Sequence, residues 1–143
     1  MAEFTYIPIQ EVNPSRPIPL NTTIGCPKGY VIHRDGSGIV TLRGIVNNIN
    51  SCFARYQVTF NGNIAVPEGE TVGAISLALS VDGEPLASSE AIVTPAAVDN
   101  YFNVTSTAFI TVVKGCCVNL SVENTSDIPI NVQNANLVVT RVA

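Results

Sequence analysis

The stretch VGAISLALSVDGEPL, residues 72–86, alternates between large apolar and small side chains. Successive side chains of a β-strand point to opposite faces of the sheet, so this alternation predicts a strand with one face in a core. The pair Asp82-Gly83 follows the alternation, and Asp-Gly is a preferred sequence for a tight hairpin turn. The large face carries Ile75, Leu77, Leu79 and Val81, and the small face carries Ala74, Ser76, Ala78 and Ser80.

Similar strand-like segments recur along the chain, and none has the spacing of an amphipathic helix. Val, Ile and Thr are abundant in them, and branched side chains favour a pleated surface. Gly, Asn, Asp and Pro separate the segments and predict turns. The segments are GYVIHRDGSGIVTLRG (29–44), FARYQVTFNGNIAV (53–66), SEAIVTPA (89–96), YFNVTSTAFITVV (101–113), CCVNLSVENTS (116–126) and PINVQNANLVVTRVA (129–143). Short strands at this spacing predict an all-β sandwich or barrel.

The first 22 residues, MAEFTYIPIQEVNPSRPIPLNT, lie outside this pattern. Four prolines remove backbone donors and fix φ, so we expect an extended segment rather than a helix. We predict a docking arm at 1–22 that binds another protein, in front of a folded domain at 23–143. The alternative is that the arm packs along a groove of its own domain. The candidate anchors are Phe4, Tyr6, Ile7, Ile9 and Val12.

The small face of the opening stretch bears on assembly. A strand face that meets water usually carries longer polar side chains, whereas Ala and Ser let another surface approach closely. We therefore consider Ala74, Ser76 and Ala78 as a trimer interface. The alternative is an inner layer of the same sandwich, covered by a loop.

The bulk properties exclude several classes of protein. A chain of 143 residues fits one domain. Charged residues make up only 13% of it, against about 25% in a typical soluble domain, which favours a surface that faces other protein. The formal net charge of -4 argues against a nucleic-acid partner. No apolar run is long enough to span a bilayer, and no signal peptide is recognisable, so we expect no membrane partner.

Residues capable of catalysis are few and scattered. The single histidine, His33, lies near a predicted turn, and a general base needs positioned partners. Glu68 and Glu70 share a loop, but a calcium site needs about six to eight oxygen ligands. We therefore expect no catalytic residue, metal or cofactor, and an enzyme is the least favoured class.

The chain has four cysteines: Cys26, Cys52, Cys116 and Cys117. They form no CxxC pair, which argues against a zinc site. If residues 116–122 form a strand, Cys116 shares the apolar face with Val118. We predict mostly reduced, structural cysteines, and the alternative is a disulfide between two of the four.

Four of the segments resemble strands of the tumour-necrosis-factor and complement-head-like jelly roll, and most closely its bacterial and phage branch. They are YQVTFNGNI (56–64), GAISLALSVDGEPLASS (73–89), GCCVNLSVENTS (115–126) and NANLVVTRVA (134–143). The resemblance covers residues 28–143. It implies a jelly-roll β-sandwich that forms a compact homotrimer and is displayed on spore surfaces or phage particles.

Spore-surface members of that group place a collagen-like stalk before the head, and this sequence has only the 22-residue arm. The resemblance therefore favours a structural virion protein, made in the host cytoplasm and carried on the capsid surface. We expect a trimeric capsid decoration or head-fibre-like module whose arm binds the major capsid protein or another virion protein. The alternative is a host-recognition module for a glycan or receptor, on a phage fibre or a bacterial surface.

Overall fold

The computed structural model describes residues 2–25 and 29–143, so Cys26 lies outside the described residues. Its regular elements are strands, apart from one short 3-10 helix at Ala87–Ser89. The strands are β1 (Ala2–Tyr6), β2 (Gln10–Val12), β3 (Thr22–Ile24), β4 (Val31–His33), β5 (Val40–Arg43), β6 (Phe53–Ala65), β7 (Ile75–Val81), β8 (Glu84–Pro85), β9 (Ala91–Val93), β10 (Phe102–Val113), β11 (Cys117–Asn124) and β12 (Ile130–Arg141).

The strands form two antiparallel sheets of six strands each. Sheet A has the order β10-β6-β12-β1-β3, and β2 pairs with β12 as well. Sheet B has the order β4-β5-β11-β7-β8, and β9 pairs with β7. The chain crosses repeatedly from one sheet to the other, which is the jelly-roll arrangement. The predicted all-β jelly-roll sandwich is confirmed.

The core lies between the two sheets and is built from the alternate residues that the sequence predicted. Large side chains of β6 and β7 fill its centre, because every second residue of each strand faces inward. Ile75, Leu77 and Leu79, on the predicted large face of β7, are fully buried, and so are Tyr56, Val58 and Phe60, which share one face of β6. The strand pattern of the sequence therefore assigned the correct face to the core.

The turn at Asp82-Gly83 has the geometry that its sequence predicts. Both residues have positive φ, 52° for Asp82 and 84° for Gly83. A two-residue hairpin loop of this kind needs positive φ at both positions, which Gly adopts without strain and Asp tolerates. The turn lets Glu84 pair with Val81, so the chain reverses at the edge of sheet B.

The N-terminal segment is part of the sandwich, so the predicted boundary between residues 22 and 23 is wrong. Strand β1 lies between β12 and β3 and pairs with both. Phe4 stands opposite Leu137 in the β12 ladder and is fully buried. The free edge of β12 satisfies the backbone donors and acceptors of the extended segment, and the core takes up its apolar side chains.

The proline-rich part of the segment then crosses to sheet B. The backbone N–H of Ser15 donates to Asn124 O at 2.8 Å, and that of Ile18 donates to Val122 O at 2.8 Å. Strand β5 pairs with β11 only as far as Leu120, so the rest of that edge is open to this segment. A proline blocks only its own donor, and Pro17 forms a bridge with Glu123.

Cys116 does not share the apolar face with Val118, contrary to the sequence-based expectation. Strand β11 begins at Cys117, and Cys116 lies in the preceding turn, exposed to solvent. Its carbonyl oxygen accepts a hydrogen bond from the Gly44 N–H at 2.8 Å. Cys52 and Cys117 are also exposed. The reduced state of the cysteines stays a prediction.

Candidate functional site

His33 lies in a structural position. Its side chain is 1% exposed, and its ring packs against Phe4 with the centroids 4.6 Å apart. Its Nε2 lies 2.8 Å from Ser37 O. Because a carbonyl oxygen can only accept, Nε2 carries the proton and donates this bond. A histidine enclosed in this way supports the turn between β4 and β5.

The other titratable residues do not form a recognisable centre. Within residues 2–25 and 29–143, no three His, Cys, Asp or Glu side chains are grouped so that they could hold a metal ion. In the same ranges, no helix is long and apolar enough to cross a bilayer.

The small face of β7 is covered by the chain itself. Ser76 and Ala78 are 8% and 1% exposed. The Ser76 N–H donates to Ser126 Oγ at 2.7 Å, and the Ser76 hydroxyl lies 2.7 Å from Thr125 Oγ1. Ser76 and Ala78 are thus not available as a trimer interface, and the alternative of a covered layer is correct for them. Ala74, just before the strand, stays exposed.

Most of the predicted docking anchors are used by the fold. Phe4 and Val12 are 0% and 3% exposed in the core, and Tyr6 packs against that core. Phe4 and Val12 cannot dock on a partner because their apolar surface is already buried, and Tyr6 is partly buried. Ile7 and Ile9 remain 61% and 53% exposed on the turn between β1 and β2. Of the predicted anchors, Ile7 and Ile9 in this turn therefore remain accessible to a partner.

A different surface, the outer face of sheet A, is broad and nearly uncharged. We define it as the side chains of β1, β6, β10 and β12 that point away from the core, and it was not predicted from the sequence. Its charged residues on these strands are Glu3 and Arg55. At one end it exposes Phe53, Phe109 and Val113, with 45%, 53% and 60% of each residue accessible. The outward position of Phe109 could have been predicted from the alternating pattern of β10, because the next residue, Ile110, faces inward.

The polar side chains of the outer face of sheet A bind one another. Asn103 Nδ2 donates to Asn61 Oδ1 at 2.9 Å and to Asn63 Oδ1 at 3.1 Å. Asn136 Nδ2 donates to Glu3 Oε2 at 2.7 Å, so the acidic group of this face is already engaged. Removing such a surface from water costs little free energy, because its polar groups already have hydrogen-bond partners. Few charges are also typical of the centre of a protein interface.

Arg55, the other charged residue of this face, lies over an aromatic ring. Its guanidinium carbon is 4.9 Å from the centroid of Phe109. This cation–π contact holds the arginine along the sheet and covers part of the ring. The apolar end of the outer face of sheet A is therefore ordered before any partner binds.

Comparison with known proteins identifies the fold and no more. No protein-family model and no curated protein matches the chain. Among solved structures, the globular domain of the zebrafish complement 1qA protein is similar with a TM-score of 0.55 and 9% identity, covering 96% of this chain and 94% of that one. This likeness shows the fold, a jelly-roll β-sandwich, as the sequence resemblance implied.

Two further structures match more weakly. The C-terminal domain of the sugar-binding protein EclA has a TM-score of 0.37 and 15% identity, covering 81% of this chain and 87% of that one. The xylan-binding CBM22-1 domain of Paenibacillus barcinonensis Xyn10C has a TM-score of 0.37 and 9% identity, covering 99% and 87%. Likeness at this level carries no argument about ligands.

Proposed function

We propose that this chain is a structural display protein that forms a homotrimer through the outer face of sheet A. The observation that carries the proposal is the exposed apolar end of that face, at Phe53, Phe109 and Val113, beside a nearly uncharged sheet. Large apolar side chains exposed on a sheet face that carries few charges are typical of a contact between proteins. The trimeric state itself comes from the sequence resemblance, and the outer face of sheet A replaces the small face of β7 as its interface.

The finer proposal is a capsid decoration or head-fibre-like protein of a phage virion, made in the host cytoplasm. It rests on the sequence resemblance and on the low charge density of the chain. Attachment to the major capsid protein or another virion protein would use the exposed turn at residues 7–9. Ile7 and Ile9 flank Pro8 there, and a proline reduces the entropy lost when a turn binds.

Phe109→Arg tests the interface. We expect this variant to sediment as a monomer at micromolar concentration while the unchanged chain sediments as a trimer, because an added charge would be buried without a partner. Ile92→Arg is the matched control, since Ile92 is 62% exposed on β9 of the other sheet. The control should stay trimeric. Dissociation of both variants to the same extent, or of neither, contradicts the proposed interface.

Ile7→Asp combined with Ile9→Asp tests the docking turn. We expect the double variant to form the same oligomer as the unchanged chain but to be absent from purified phage particles that the unchanged chain decorates. Ile32→Asp is the control, because Ile32 is 51% exposed on β4, away from the turn. Retention of the double variant on particles contradicts the role of the turn. Absence of the unchanged chain from intact particles contradicts the virion assignment.

A further inference from the structure

Positive charge collects at one end of the sandwich, at positions that are scattered in the sequence. Arg43 ends β5, Arg55 is near the start of β6, Lys114 is in the turn between β10 and β11, and Arg141 ends β12. The stretches 43–55, 113–117 and 140–143 that form this end contain no Asp or Glu. We call these four cations and their loops the basic end.

Backbone hydrogen bonds hold the loops of the basic end together. The Gly44 N–H donates to Cys116 O at 2.8 Å, and the Lys114 N–H donates to Cys52 O at 2.9 Å. The Val142 N–H donates to Arg55 O at 2.8 Å. The first bond lies at the end of sheet B and the other two at the end of sheet A, and the turn from β10 to β11 joins the two ends, so the cations lie around one rim of the fold.

Four of the eleven acidic residues lie at the other end of the sandwich. Glu68, Glu70, Asp99 and Asp127 are in the loops at the opposite end of the sandwich. The Asp99 N–H donates to Val66 O at 2.9 Å, which ties two of those loops together. Asp82 and Glu84 lie nearer the basic end, in the hairpin after β7, where the Asn119 N–H donates to Asp82 Oδ1 at 2.9 Å. Charge is thus unevenly distributed, and the stretches of the basic end that carry only cations can attract anions.

The cations of the basic end have no acidic partners. Among the described residues, His33 and Asp35 form an ion-pair contact at 3.8 Å. Within that part of the chain, no cation of the basic end lies within 4.0 Å of an acidic side chain. Arg141 Nη1 is buried without a hydrogen-bond acceptor in the described chain. Its guanidinium carbon stacks 4.6 Å from the Tyr30 ring centroid. Its Nε donates to Ala143 O at 3.1 Å, so Arg141 is enclosed by the fold, and the donors open to an external anion are those of the exposed Arg43 and Lys114.

A small cavity opens within the basic end. It measures about 220 Å³, and Arg43, Ile45, Cys116 and Cys117 are among the residues that line it. Arg43 Nη1 donates to Gly29 O at 3.1 Å, which orients the guanidinium and leaves its other donors free. The cavity can seat one anionic substituent of a larger ligand.

From this arrangement we propose that the basic end binds an anionic polysaccharide, through its sulfate or carboxylate groups. A polymer with repeated anions reaches Arg43 and Lys114 at once, which raises its affinity by avidity, whereas Arg55 lies at the proposed trimer interface. The loop between β5 and β6 exposes the uncharged amides of Asn47, Asn48 and Asn50, which can form hydrogen bonds with sugar hydroxyls. The site goes beyond the proposed display function and matches the recognition role that the sequence also allowed.

Other anionic partners fit the basic end less well. Single-stranded nucleic acid needs free aromatic faces for stacking, and Arg141 and Arg55 already lie over Tyr30 and Phe109. Ile49, which is 90% exposed, could insert into a membrane, but a single inserted side chain binds a bilayer only weakly. A second copy of the chain would offer the acidic loops at its opposite end, but exposed ion pairs between folded surfaces contribute little to the free energy of association.

Binding of dextran sulfate, with uncharged dextran of the same length as the matched polymer, tests the proposal. We expect the full chain to bind dextran sulfate in a salt-dependent way and not to bind dextran. Arg43→Gln combined with Lys114→Gln should weaken binding at least about tenfold, since two charge-assisted contacts are lost. Arg16→Gln combined with Arg34→Gln removes the same charge outside the basic end and should bind like the unchanged chain.

Three results would overturn the proposal. Equal loss in the two double variants would mean that net charge, rather than the basic end, governs binding. Tighter binding to phosphatidylglycerol vesicles than to dextran sulfate, abolished by Ile49→Asp, would assign the end to a membrane. Salt-sensitive self-association of the chain that is lost in the Arg43 and Lys114 variant, without binding to dextran sulfate, would assign it to a second copy.

Discussion

Tyr56 shows how one buried side chain connects the core to the basic end. Its hydroxyl donates to the Arg43 carbonyl oxygen at 2.6 Å, with the Tyr30 carbonyl oxygen 3.3 Å away. Burial raises the pKa of Tyr56 above its ordinary value, because the charged phenolate would lose its water, while the nearby Arg141 charge acts in the opposite direction. The phenol thus helps to fix the backbone of Arg43 at the rim.

Tyr56→Phe should lower the free energy of unfolding by about 1–2 kcal/mol at neutral pH, because the buried carbonyl oxygens lose their donor. In the unchanged chain, the raised pKa means that the folded state holds the phenolic proton more tightly than the unfolded state. This contribution is complete below the ordinary pKa of 10.0 and is lost as pH rises through the higher folded value. Urea unfolding below and above pH 10.0 checks both effects.

A fall in stability above pH 10.0 that is as steep in Tyr56→Phe as in the unchanged chain would contradict this role of Tyr56. The sequence predicted that Tyr56 shares one face of a strand with Val58 and Phe60. It could not predict the partner of the hydroxyl, because the Arg43 carbonyl approaches only when β5 and β6 occupy different sheets of the folded sandwich.

Among the elements, β1 departs most from the sequence-based interpretation. The strands of β6, β7, β10 and β12 were predictable because an alternating pattern is local information. The position of β1 was not, since Phe4 pairs with Leu137 across nearly the whole chain. The prolines of the N-terminal segment also suggested a separate arm. Pro8 instead lies in the turn between β1 and β2, and the other three follow β2, where the segment crosses to sheet B.

Phe4→Ala should lower the free energy of unfolding by about 3–5 kcal/mol, the usual cost of truncating a buried phenylalanine. Phe4 is fully buried between β12, β3 and the His33 ring. Ile9→Ala, in the exposed turn of the same segment, should change it by less than about 0.5 kcal/mol. Guanidinium unfolding followed by circular dichroism measures both. A near-neutral Phe4→Ala would mean that the N-terminal segment is an independent arm after all.

At the scale of the whole molecule, the two candidate surfaces differ in how far the sequence revealed them. Low overall charge could be read from composition, and it pointed to contact with other protein. The face that makes this contact could not be identified from the sequence, because the small residues of β7 are covered by Glu123, Thr125 and Ser126. The basic end was also hidden, since its cations come together only when strand ends from both sheets meet.

The central claim is the homotrimer, and its molar mass in solution tests it most directly. Sedimentation equilibrium of the unchanged chain at micromolar concentration should give three times the chain mass of 15.1 kDa. Phe109→Arg should give the mass of one chain under the same conditions. A mass of one chain for the unchanged protein, or a trimer that Phe109→Arg leaves intact, would contradict assembly through the outer face of sheet A.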